Sequence, residues 1–386
     1  MKIAFVRKYY TPYGGAERYL AQLIEQLCQQ EHEVHVFANQ WEETREEGGK
    51  KGRARAPFFH RVPVIQNPSF LEALTFALFS KRILQEESFD IIHSFERTLY
   101  QDIYRAGDGC HREWLIQRKK IDSWVKRISH PINPLHRSLL FLEKRLFQSP
   151  NLKRIIANSK KGKEEIVRHY KIKPEKIEVI YNGVDLDVFH PRNVARYREN
   201  LRKELQISPE ALVLLFLGSG FRRKGLESLI SALPHLKQIP HLCLLVAGKD
   251  SFSPYQEKAQ RLGVKEKVIF LGSTLRAAEL YASTDLFVLP TFYDPFSNAC
   301  LEAMATGIPV LTTPQNGIAE LIEDRQNGFL IQNPIDPMEI SNTILSFYSS
   351  PLKTSLKERA RSTSLNLGLD SAVQRMLCLY EEIKRG

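Results

Sequence analysis

Short apolar runs alternate with longer amphipathic stretches along this chain, and the alternation predicts its elements. Residues 3–6 and 33–37 have the apolar, β-branched character of buried strands, and residues 16–30 between them have helical periodicity. A strand–helix–strand order of this kind is typical of a parallel sheet covered by helices. Further strands are predicted at residues 89–93, 154–157, 211–217, 242–247, 268–271, 286–289 and 310–312.

The alternation restarts after a segment rich in proline and turn residues at 174–191, and this predicts two doubly wound units. We predict a first domain of residues 1–172 and a second domain of residues 173–367. A chain of 386 residues is long enough for each unit to bury its own core. The last predicted helix, at about 370–384, follows a break at 362–368 and can pack on either unit.

The composition, with 43% hydrophobic and 26% charged residues, is typical of an ordinary globular protein. The apolar runs are far shorter than the roughly 20 residues that cross a bilayer, and the amino terminus lacks the apolar stretch of a secretory signal. Five scattered cysteines without a C-x-x-C spacing argue against a disulfide framework or a zinc site. We therefore expect a cytoplasmic protein in a reducing compartment.

The formal net charge of +11 favours an anionic partner. A nucleotide, a phosphorylated substrate, an acidic membrane face and a nucleic acid all fit that charge. No recognised nucleic-acid-binding module is visible, so we do not expect a nucleic-acid partner.

We expect ligand sites where the predicted strands end, because parallel α/β sheets bind ligands at the carboxyl ends of their strands. Gly14 and Gly15 follow the first strand and precede a helix, which fits either an amide site for an anion or a plain turn. Gly218-Ser219-Gly220-Phe221-Arg222-Arg223-Lys224-Gly225 follows a strongly apolar strand and places three cations at a site of phosphate size. It matches neither the dinucleotide-binding fingerprint nor the P-loop.

A third candidate lies after the strand predicted at 286–289. Asp294 stands in the loop, and Glu302 lies just inside a helix that Ser297 or Asn298 caps. The amides at 298–300 could receive a diphosphate, Glu302 could accept hydrogen bonds from ribose hydroxyls, and Asp294 could do the same for a hexose. The alternative is a capped helix with two incidental acids.

The ordered set of motifs resembles the retaining GT-B glycosyltransferases of family 4. It comprises the early Gly-Gly, Asn182-Gly183-Val184-Asp185, the Arg-Lys-Gly helix start, and Asp-x7-Glu followed by Ala-Met-Ala-x-Gly-x-Pro-Val. The resemblance runs from residue 1 to about residue 328. The opening residues 4–18 are similar to those of bacterial lipopolysaccharide core glucosyltransferases.

This resemblance implies a fold and a division of labour. The expected fold is α/β with GT-B architecture, in which two Rossmann-like doubly wound domains face each other across a cleft. The second domain would hold a nucleotide sugar, the first would hold the acceptor, and the last helix, 368–386, would return to the first domain.

The family's donor contacts carry over to matching positions. Arg223 and Lys224 would neutralise the donor diphosphate, Glu302 would hold the ribose, and Asp294 with the amides after it would hold the sugar. Ser297, Asn298 and Ala299 supply those positions, and Gly14 and Gly15 would close over the phosphates from the other domain.

Two positions depart from the family pattern. The first acid of the motif is usually glutamate, so Asp294 is one methylene shorter, and Ser219 stands where an arginine is usual. The phosphate cation is therefore open among Arg222, Arg223 and Lys224.

On the acceptor side, Asp108 stands where the similar core glucosyltransferases carry an active-site aspartate. We expect Asp108 to orient the donor sugar or the incoming hydroxyl, with His111 as the alternative because its ordinary pKa suits proton exchange. Cations at the diphosphate would stabilise the leaving group, and Lys224 is assigned there as a catalytic residue. The family explains retention by same-face attack, with the departing phosphate helping to take the acceptor's proton.

No metal and no cofactor are expected beyond the nucleotide-sugar substrate, for which a UDP-sugar is the first choice. Asp185-Leu186-Asp187 has the D-x-D spacing of metal-dependent glycosyltransferases, but it extends a turn in the predicted linker. Arginine and lysine would take the place of a metal at the diphosphate.

Residues 112–147 contain nine lysines or arginines and three acids, interleaved with Trp114, Trp124, Phe141 and Phe147. Basic amphipathic helices with tryptophan suit an anionic membrane surface, and a solvated insertion is the alternative. We expect peripheral binding at the inner face of the cytoplasmic membrane, beside a glycan or lipid-linked acceptor.

The predicted function is the transfer of a hexose, with UDP-glucose as the first candidate donor, to an acceptor such as lipopolysaccharide core. The alternatives are a non-catalytic nucleotide-sugar-binding relative and a family 4 transferase that acts on a different glycan or small molecule.

Overall fold

A computed structural model describes residues 1–10, 15–41, 56–122 and 132–385, with the side chains of 15–18 excepted. The chain divides into two compact units. The first unit comprises Met1–Gly183 together with Leu369–Gly386, and the second comprises Val184–Gly368.

Parallel strands form the sheet of each unit. The strands of the first unit are β1 (Lys2–Val6), β2 (Tyr9–Tyr10), β3 (Glu33–Ala38), β4 (Gln40–Trp41), β5 (Phe58–Arg61), β6 (Ile91–Ser94), β7 (Ile103–Ala106), β8 (Arg154–Ala157) and β9 (Ile177–Val179). Those of the second unit are β10 (Leu212–Leu217), β11 (Leu242–Ala247), β12 (Val268–Gly272), β13 (Leu286–Leu289), β14 (Val310–Thr312) and β15 (Gly328–Leu330).

The helices follow the strands in alternation. In chain order they are α1 (Gly15–Gln29), α2 (Ser69–Gln85), α3 (His111–Ile121), α4 (Pro134–Phe147), α5 (Lys160–Tyr170), α6 (Asn193–Glu204), α7 (Phe221–Lys224), α8 (Leu226–Ala232), α9 (Ser253–Arg261), α10 (Ala277–Ala282), α11 (Asn298–Ala305), α12 (Pro337–Tyr348), α13 (Lys353–Leu365) and α14 (Leu369–Arg385). Short 3-10 helices lie at Pro174–Lys176, Leu233–His235, Lys265–Lys267 and Gly317–Leu321.

Both large sheets have doubly wound order. The first runs β5-β3-β1-β6-β7-β8-β9, and the second runs β12-β11-β10-β13-β14-β15. In each sheet the chain builds outward from a central strand and then continues on that strand's other side. The order therefore reverses between β1 and β6 in the first sheet and between β10 and β13 in the second, and such switch points are where α/β sheets bind ligands.

The last helix is part of the core of the first unit. Val373, Met376 and Tyr380 of α14 are fully buried among residues of α1 and the first sheet. The hydroxyl of Tyr380 and Nδ1 of His93 in β6 are 2.6 Å apart. Buried apolar side chains on one face of an amphipathic helix stabilise it mainly through packing.

The division between the units differs from the predicted boundary at 172. Residues 173–183, which the sequence analysis assigned to the second domain, belong to the first unit because β9 pairs with β8. The second unit begins at Val184, whose amide donates to the carbonyl oxygen of Leu367 at 2.9 Å.

In the part of the chain that the structure describes, no helix combines the length and the apolar character needed to span a membrane.

Candidate functional site

The switch point of the second sheet brings together two loops that the sequence analysis singled out. The loop after β10 contains the cations, and the loop after β13 contains Asp294. The amide of Phe292 donates to the carbonyl oxygen of Arg223 at 2.9 Å, and the hydroxyl of Thr291 donates to the same oxygen at 3.1 Å. Adjacent parallel strands thus place both segments at one edge of the sheet.

Glycine shapes the loop after β10 around the side chain of Lys224. Gly218 has a φ of 136°, and a Cβ built there would lie 3.2 Å from Nζ of Lys224. Gly225 has a φ of 82°, and a Cβ there would lie only 2.1 Å from the carbonyl oxygen of Pro290. Both positions favour glycine because their φ values are positive, and at Gly225 a side chain would also clash with the backbone at the end of β13.

Arg223 and Lys224 converge on Asp294. Nζ of Lys224 donates to Oδ2 of Asp294 at 2.9 Å, and Nη1 of Arg223 lies 3.3 Å from the same oxygen. Nη1 of Arg223 also donates to the carbonyl oxygen of Tyr293 at 2.6 Å. Arg222, the third candidate cation, is exposed.

Asp294 is ionised in this arrangement although its side chain is buried. Burial alone would raise the pKa of Asp294, but the charges of Lys224 and Arg223 and their hydrogen bonds outweigh it and lower the pKa. The carboxylate therefore keeps hydrogen-bond acceptor capacity in a site that excludes most water.

An acid already occupies the start of α7. The amides of Gly220 and Phe221 both donate to the carboxylate of Asp250, at 2.7 Å for Phe221. The amides at this helix start are therefore paired with an internal carboxylate. The cationic side chains of this segment remain as its contribution to an anion site.

The loop of Asp294 is fixed by the segment that follows β14. The amide of Asp294 donates to the carbonyl oxygen of Gln315 at 3.1 Å, and the amide of Gly317 donates to the carbonyl oxygen of Asp294 at 2.9 Å. The side-chain oxygen of Asn316 accepts from the amide of Ser297 at 3.2 Å. Asn316 was not predicted as part of the site, and it holds the turn that leads into α11.

Helix α11 begins as the sequence predicted, with Ser297 as its cap. The hydroxyl of Ser297 accepts from the amide of Cys300 at 3.4 Å, and Asn298 and Ala299 form the first turn. Burial raises the pKa of the Cys300 thiol to about 12, and the charges of Lys224 and Asp294 also act on it. The start of α11 therefore lies within electrostatic reach of the Lys224–Asp294 pair.

Glu302 is half-buried on α11 and is oriented by a residue that the sequence analysis missed. The hydroxyl of Tyr281 donates to Oε2 of Glu302 at 2.9 Å, and it also lies 2.9 Å from the carbonyl oxygen of Ala299. Tyr281 is fully buried in α10. Nothing in the sequence around this tyrosine distinguishes it from an ordinary core aromatic residue.

The switch point of the first sheet holds charged residues that were also not predicted. Nη1 of Arg7, directly after β1, lies 3.6 Å from Oε1 of Glu96, shortly after β6. Burial raises the pKa of Glu96, the charge of Arg7 opposes the rise, and the charge of Asp108 adds to it. Asp108 itself is exposed in the turn after β7. The strand-end rule, applied to the strand predicted at 89–93, could have found Glu96.

His111 is the first residue of α3 and is buried. Its Nε2 has no hydrogen-bond partner within the described ranges of the chain. Burial lowers the pKa of His111 to about 4, and the positive charge of Arg97 contributes. Such an imidazole is neutral near pH 7, so His111 does not have the pKa that suggested proton exchange.

A buried carboxylate supports the turn that carries Asp108. Glu143 of α4 is fully buried, and its Oε1 accepts from Nε of Arg97 at 3.1 Å and from the amide of His111 at 2.8 Å. Nη2 of Arg97 donates to the carbonyl oxygen of Gly109 at 3.0 Å. Glu143 is one of the three acids of residues 112–147 and was not predicted to have this role, yet the network fixes both ends of the loop from Asp108 to α3.

The remaining predicted residues differ in how far the structure describes them. Gly14, Trp124, Lys126 and Arg127 lie outside the described residues. Gly15 is the first residue of α1.

The D-x-D segment has a local structural role. Oδ1 of Asp185 accepts from the amides of Asp187 and Val188, both at 3.0 Å. Among the described residues, no group of three or more histidine, cysteine, aspartate or glutamate side chains is arranged to hold a metal ion.

Comparison with known proteins gives two family matches along the chain. The model described as "Glycosyltransferase Family 4" matches residues 13–188. The model described as "Glycosyl transferases group 1" matches residues 197–363. Together the two matches span most of the sequence.

Individual relatives extend over nearly the whole chain. The lipopolysaccharide glucosyltransferase WaaG of Escherichia coli K12 is 27% identical over 365 residues, which are 94% of this chain and 93% of the relative. A crystal structure of WaaG, a glycosyltransferase involved in lipopolysaccharide biosynthesis, matches with a TM-score of 0.83 at 25% identity and covers 98% of this chain and 99% of that one.

A more distant match shows the fold alone. Anabaena HepE, solved in complex with UDP-glucose, has a TM-score of 0.74 at 20% identity and covers 99% of this chain and 100% of that one. The two family matches, the near full-length relatives and the two doubly wound sheets agree, and this chain belongs to the GT-B glycosyltransferases of family 4 and group 1.

Proposed function

We propose that this chain transfers a hexose from a nucleotide sugar, with UDP-glucose as the first candidate donor, to a glycan or lipid-linked acceptor such as lipopolysaccharide core. The observation that carries the proposal is the contact of Arg223 and Lys224 with buried, ionised Asp294 at the switch point of the second sheet. The name of the Escherichia coli relative supports the sugar and the acceptor, and the UDP-glucose complex of HepE supports the donor.

The chemistry follows from the charge that develops during transfer. Cleavage of the bond between sugar and diphosphate leaves negative charge on the diphosphate while the sugar becomes oxocarbenium-like. Cations that are already in place stabilise this charge without reorganisation, which lowers the barrier. Arg223 and Lys224 are proposed for this role, and metal binding is not part of it.

The other donor contacts are assigned from position and hydrogen-bonding capacity. Glu302, oriented by Tyr281, would accept hydrogen bonds from the ribose hydroxyls. Asp294 would accept from the sugar hydroxyls, and the backbone around Ser297 and Asn298 would contact the diphosphate or the sugar.

On the acceptor side we propose Asp108 as the group that orients the sugar or the incoming hydroxyl, because it is exposed at a strand end beside Glu96. His111 is the weaker candidate, since its pKa near 4 leaves it neutral and its ring is buried. Retention of anomeric configuration, by attack on the face from which the phosphate departs, completes the proposed mechanism.

Binding to an anionic membrane surface through residues 112–147 is a further part of the proposal. The three acids of this segment lie in its described parts, 112–122 and 132–147. All three are buried and form ion pairs, as in the 2.9 Å contact of Glu113 with Arg168. Phe141 is 49% exposed, and the guanidinium of Arg145 lies 5.4 Å from its ring centroid. Exposed aromatic and basic groups side by side suit a lipid headgroup layer.

The donor assignment is tested by thermal-shift measurements of the full chain with UDP-, GDP- and ADP-sugars in the presence of EDTA. We expect the largest shift with a UDP-sugar, and Lys224→Ala should abolish it. Lys258→Ala is the matched control, because Lys258 pairs with Glu227 on the surface at 2.9 Å. An unchanged shift in Lys224→Ala would place the donor elsewhere.

Turnover is tested separately with UDP-glucose and a lipopolysaccharide core acceptor. Release of UDP and an α-linked product, identified by NMR, would support a retaining transferase, since the donor itself is α-linked. Donor binding without transfer or hydrolysis would instead favour the non-catalytic relative.

A further inference from the structure

A second cationic pocket lies at the other end of the second sheet. It has a volume of about 180 Å³ and opens between the amino-terminal ends of β10 and β13, the end of α12 and the start of α13. Arg198, Asp285, Tyr348, Lys353 and Lys357 line it, and we call it the α13 pocket.

The acid inside the α13 pocket is already shared by two arginines. Oδ1 of Asp285 lies 2.6 Å from Nη2 of Arg198, and Oδ2 lies 2.8 Å from Nη2 of Arg202. Oδ2 also accepts from the amide of Val213 at 2.9 Å. The single negative charge of Asp285 is thus shared by two positively charged guanidinium groups.

The two lysines of α13 add positive charge that no acidic side chain among the described residues balances in an ion pair. Nζ of Lys353 lies 5.2 Å from the ring centroid of Tyr348, and within the described residues neither Lys353 nor Lys357 forms an ion pair. Glu210 lines the rim but is exposed. The pocket therefore carries more positive than negative charge.

The excess positive charge acts on the pKa of Lys357. Burial lowers the pKa of Lys357, Asp285 opposes that effect, and the charges of Arg198, Arg202 and Lys353 reinforce it. A bound anion would remove the unfavourable interaction between these cations.

The α13 pocket is separate from the donor site. It opens at the start of β10, whereas Lys224 follows the end of the same strand. The six residues of β10 span about 20 Å at the usual rise of a strand. A donor diphosphate held at Lys224 cannot also reach Lys357.

We propose that the α13 pocket binds a phosphate group. Guanidinium and ammonium groups form charge-assisted hydrogen bonds to phosphate oxygens, and a doubly charged anion balances the excess cations within a cavity of this size. The phosphate comes either from a free phosphate or phosphomonoester, or from the headgroup of an anionic lipid. This site does not depend on the identity of the sugar donor or on the proposed transfer reaction.

The test uses the full chain with Arg223→Ala and Lys224→Ala, which takes both proposed phosphate cations from the donor site. Calorimetric titration with inorganic phosphate at constant ionic strength should give one site per chain. Adding Lys353→Ala and Lys357→Ala should weaken that binding at least about tenfold. Lys357→Arg should retain it. Arg359→Ala is the matched control, because Arg359 is on the same helix and bonds Gln326 outside the pocket at 2.6 Å.

The lipid source is tested with vesicles of phosphatidylglycerol and of phosphatidylcholine. Binding to the former alone, lost in the Lys353→Ala/Lys357→Ala variant while Arg359→Ala binds normally, would assign the lipid headgroup. One-site binding of inorganic phosphate with the same dependence would assign the free anion. The proposal is overturned if the double variant binds both probes like the parent, if Arg359→Ala loses as much as the double variant, or if neither probe binds.

Discussion

Two aspartates flank the same four-residue strand, and they are used differently. Asp285 directly precedes β13, and Asp294 follows it by a short loop. Each carboxylate contacts two cationic side chains, Arg198 and Arg202 in the first case and Arg223 and Lys224 in the second. The two ends of one strand thus present the same ion-pair chemistry in two settings.

At the amino end the arginines also bind the backbone. Arg202 donates from Nε to the carbonyl oxygen of Ser283 at 3.1 Å and from Nη1 to the carbonyl oxygen of Pro209 at 2.9 Å. Arg198 donates from Nη1 to the carbonyl oxygen of Thr284 at 3.3 Å. These contacts tie α6 to the start of the sheet, which gives the Asp285 cluster a structural role.

At the carboxyl end the cations surround a space shaped by glycine. Lys224 contacts Asp294 beside Gly218, a position where any side chain would press on its ammonium group. An ammonium held by one carboxylate in this way still has donors for a second oxygen. Arg223 also donates to a backbone carbonyl, that of Tyr293, so the difference between the two ends lies in Lys224. Pairing with an aspartate therefore does not distinguish framework from site, whereas the remaining partners of the ammonium group do.

The largest effect should come from Lys224→Ala at the carboxyl end. If Lys224 stabilises the leaving diphosphate, kcat/KM for transfer should fall by about 10² to 10³-fold. Steady-state assays with the best donor measure this, and Lys258→Ala should remain within twofold of the parent. Equal activity of the two variants would contradict a catalytic role for Lys224.

At the amino end, Asp285→Ala should destabilise the protein and leave donor affinity unchanged. Removal of the carboxylate leaves two guanidinium groups without their partner, and breaking a partly buried network of this kind costs about 3 kcal/mol. Urea unfolding measures the free energy, and calorimetry measures donor affinity. A normal free energy of unfolding combined with weakened donor binding would reverse the roles assigned to the two aspartates.

Glu302→Ala should weaken nucleotide binding by about tenfold, because a charged acceptor for ribose hydroxyls is lost. Tyr281→Phe should have a smaller effect, since the carboxylate stays but is no longer held by the phenol at 2.9 Å. Titration with UDP ranks the two variants. Glu358→Ala, an exposed acid of α13, is the control that should bind UDP like the parent.

The smallest effect concerns pH. The pKa of Asp294 is lower in the folded protein than its ordinary value of 3.8. The ionised form therefore contributes stability that is complete above that value and is lost as the pH falls through the lower folded value. Between pH 5 and pH 3 the parent should lose more free energy of unfolding than Asp294→Asn. Identical pH profiles would show that the pair with Lys224 contributes nothing to folding.

Three strands of the second sheet could be predicted closely because all of their residues are buried, whereas the edge strand β15 was missed. Residues 242–247, 286–289 and 310–312 were predicted with the bounds that the structure shows, and the first two are continuous apolar runs. The edge strand β5 was missed, since its sequence Phe-Phe-His-Arg is partly exposed. The strand β7 was missed because it contains a charged residue, Arg105. In the folded chain Nη2 of Arg105 donates to Oδ1 of Asn182 at 2.8 Å.

The sequence indicated the charged loops of the donor side but not the residues that hold them. Lys224 and Asp294 follow predicted strands, so the strand-end rule identified them, and the structure brings their side chains into contact. Tyr281, Asn316 and Glu143 act through contacts with residues 18 to 46 positions away in the chain, as in the 2.8 Å bond of Glu143 to the amide of His111. No local sequence pattern predicts such a contact, because the contact depends on how the helices pack against the folded sheet.

The position of α14 has a consequence for the order of folding during synthesis. Its buried residues Val373, Met376 and Tyr380 complete the core of the first unit, yet they follow the whole second unit in the chain. All of Val184–Gly368 is translated before them. The second unit can therefore finish folding first, while part of the apolar surface of the first unit stays uncovered until the seventeen residues of α14 have left the exit tunnel.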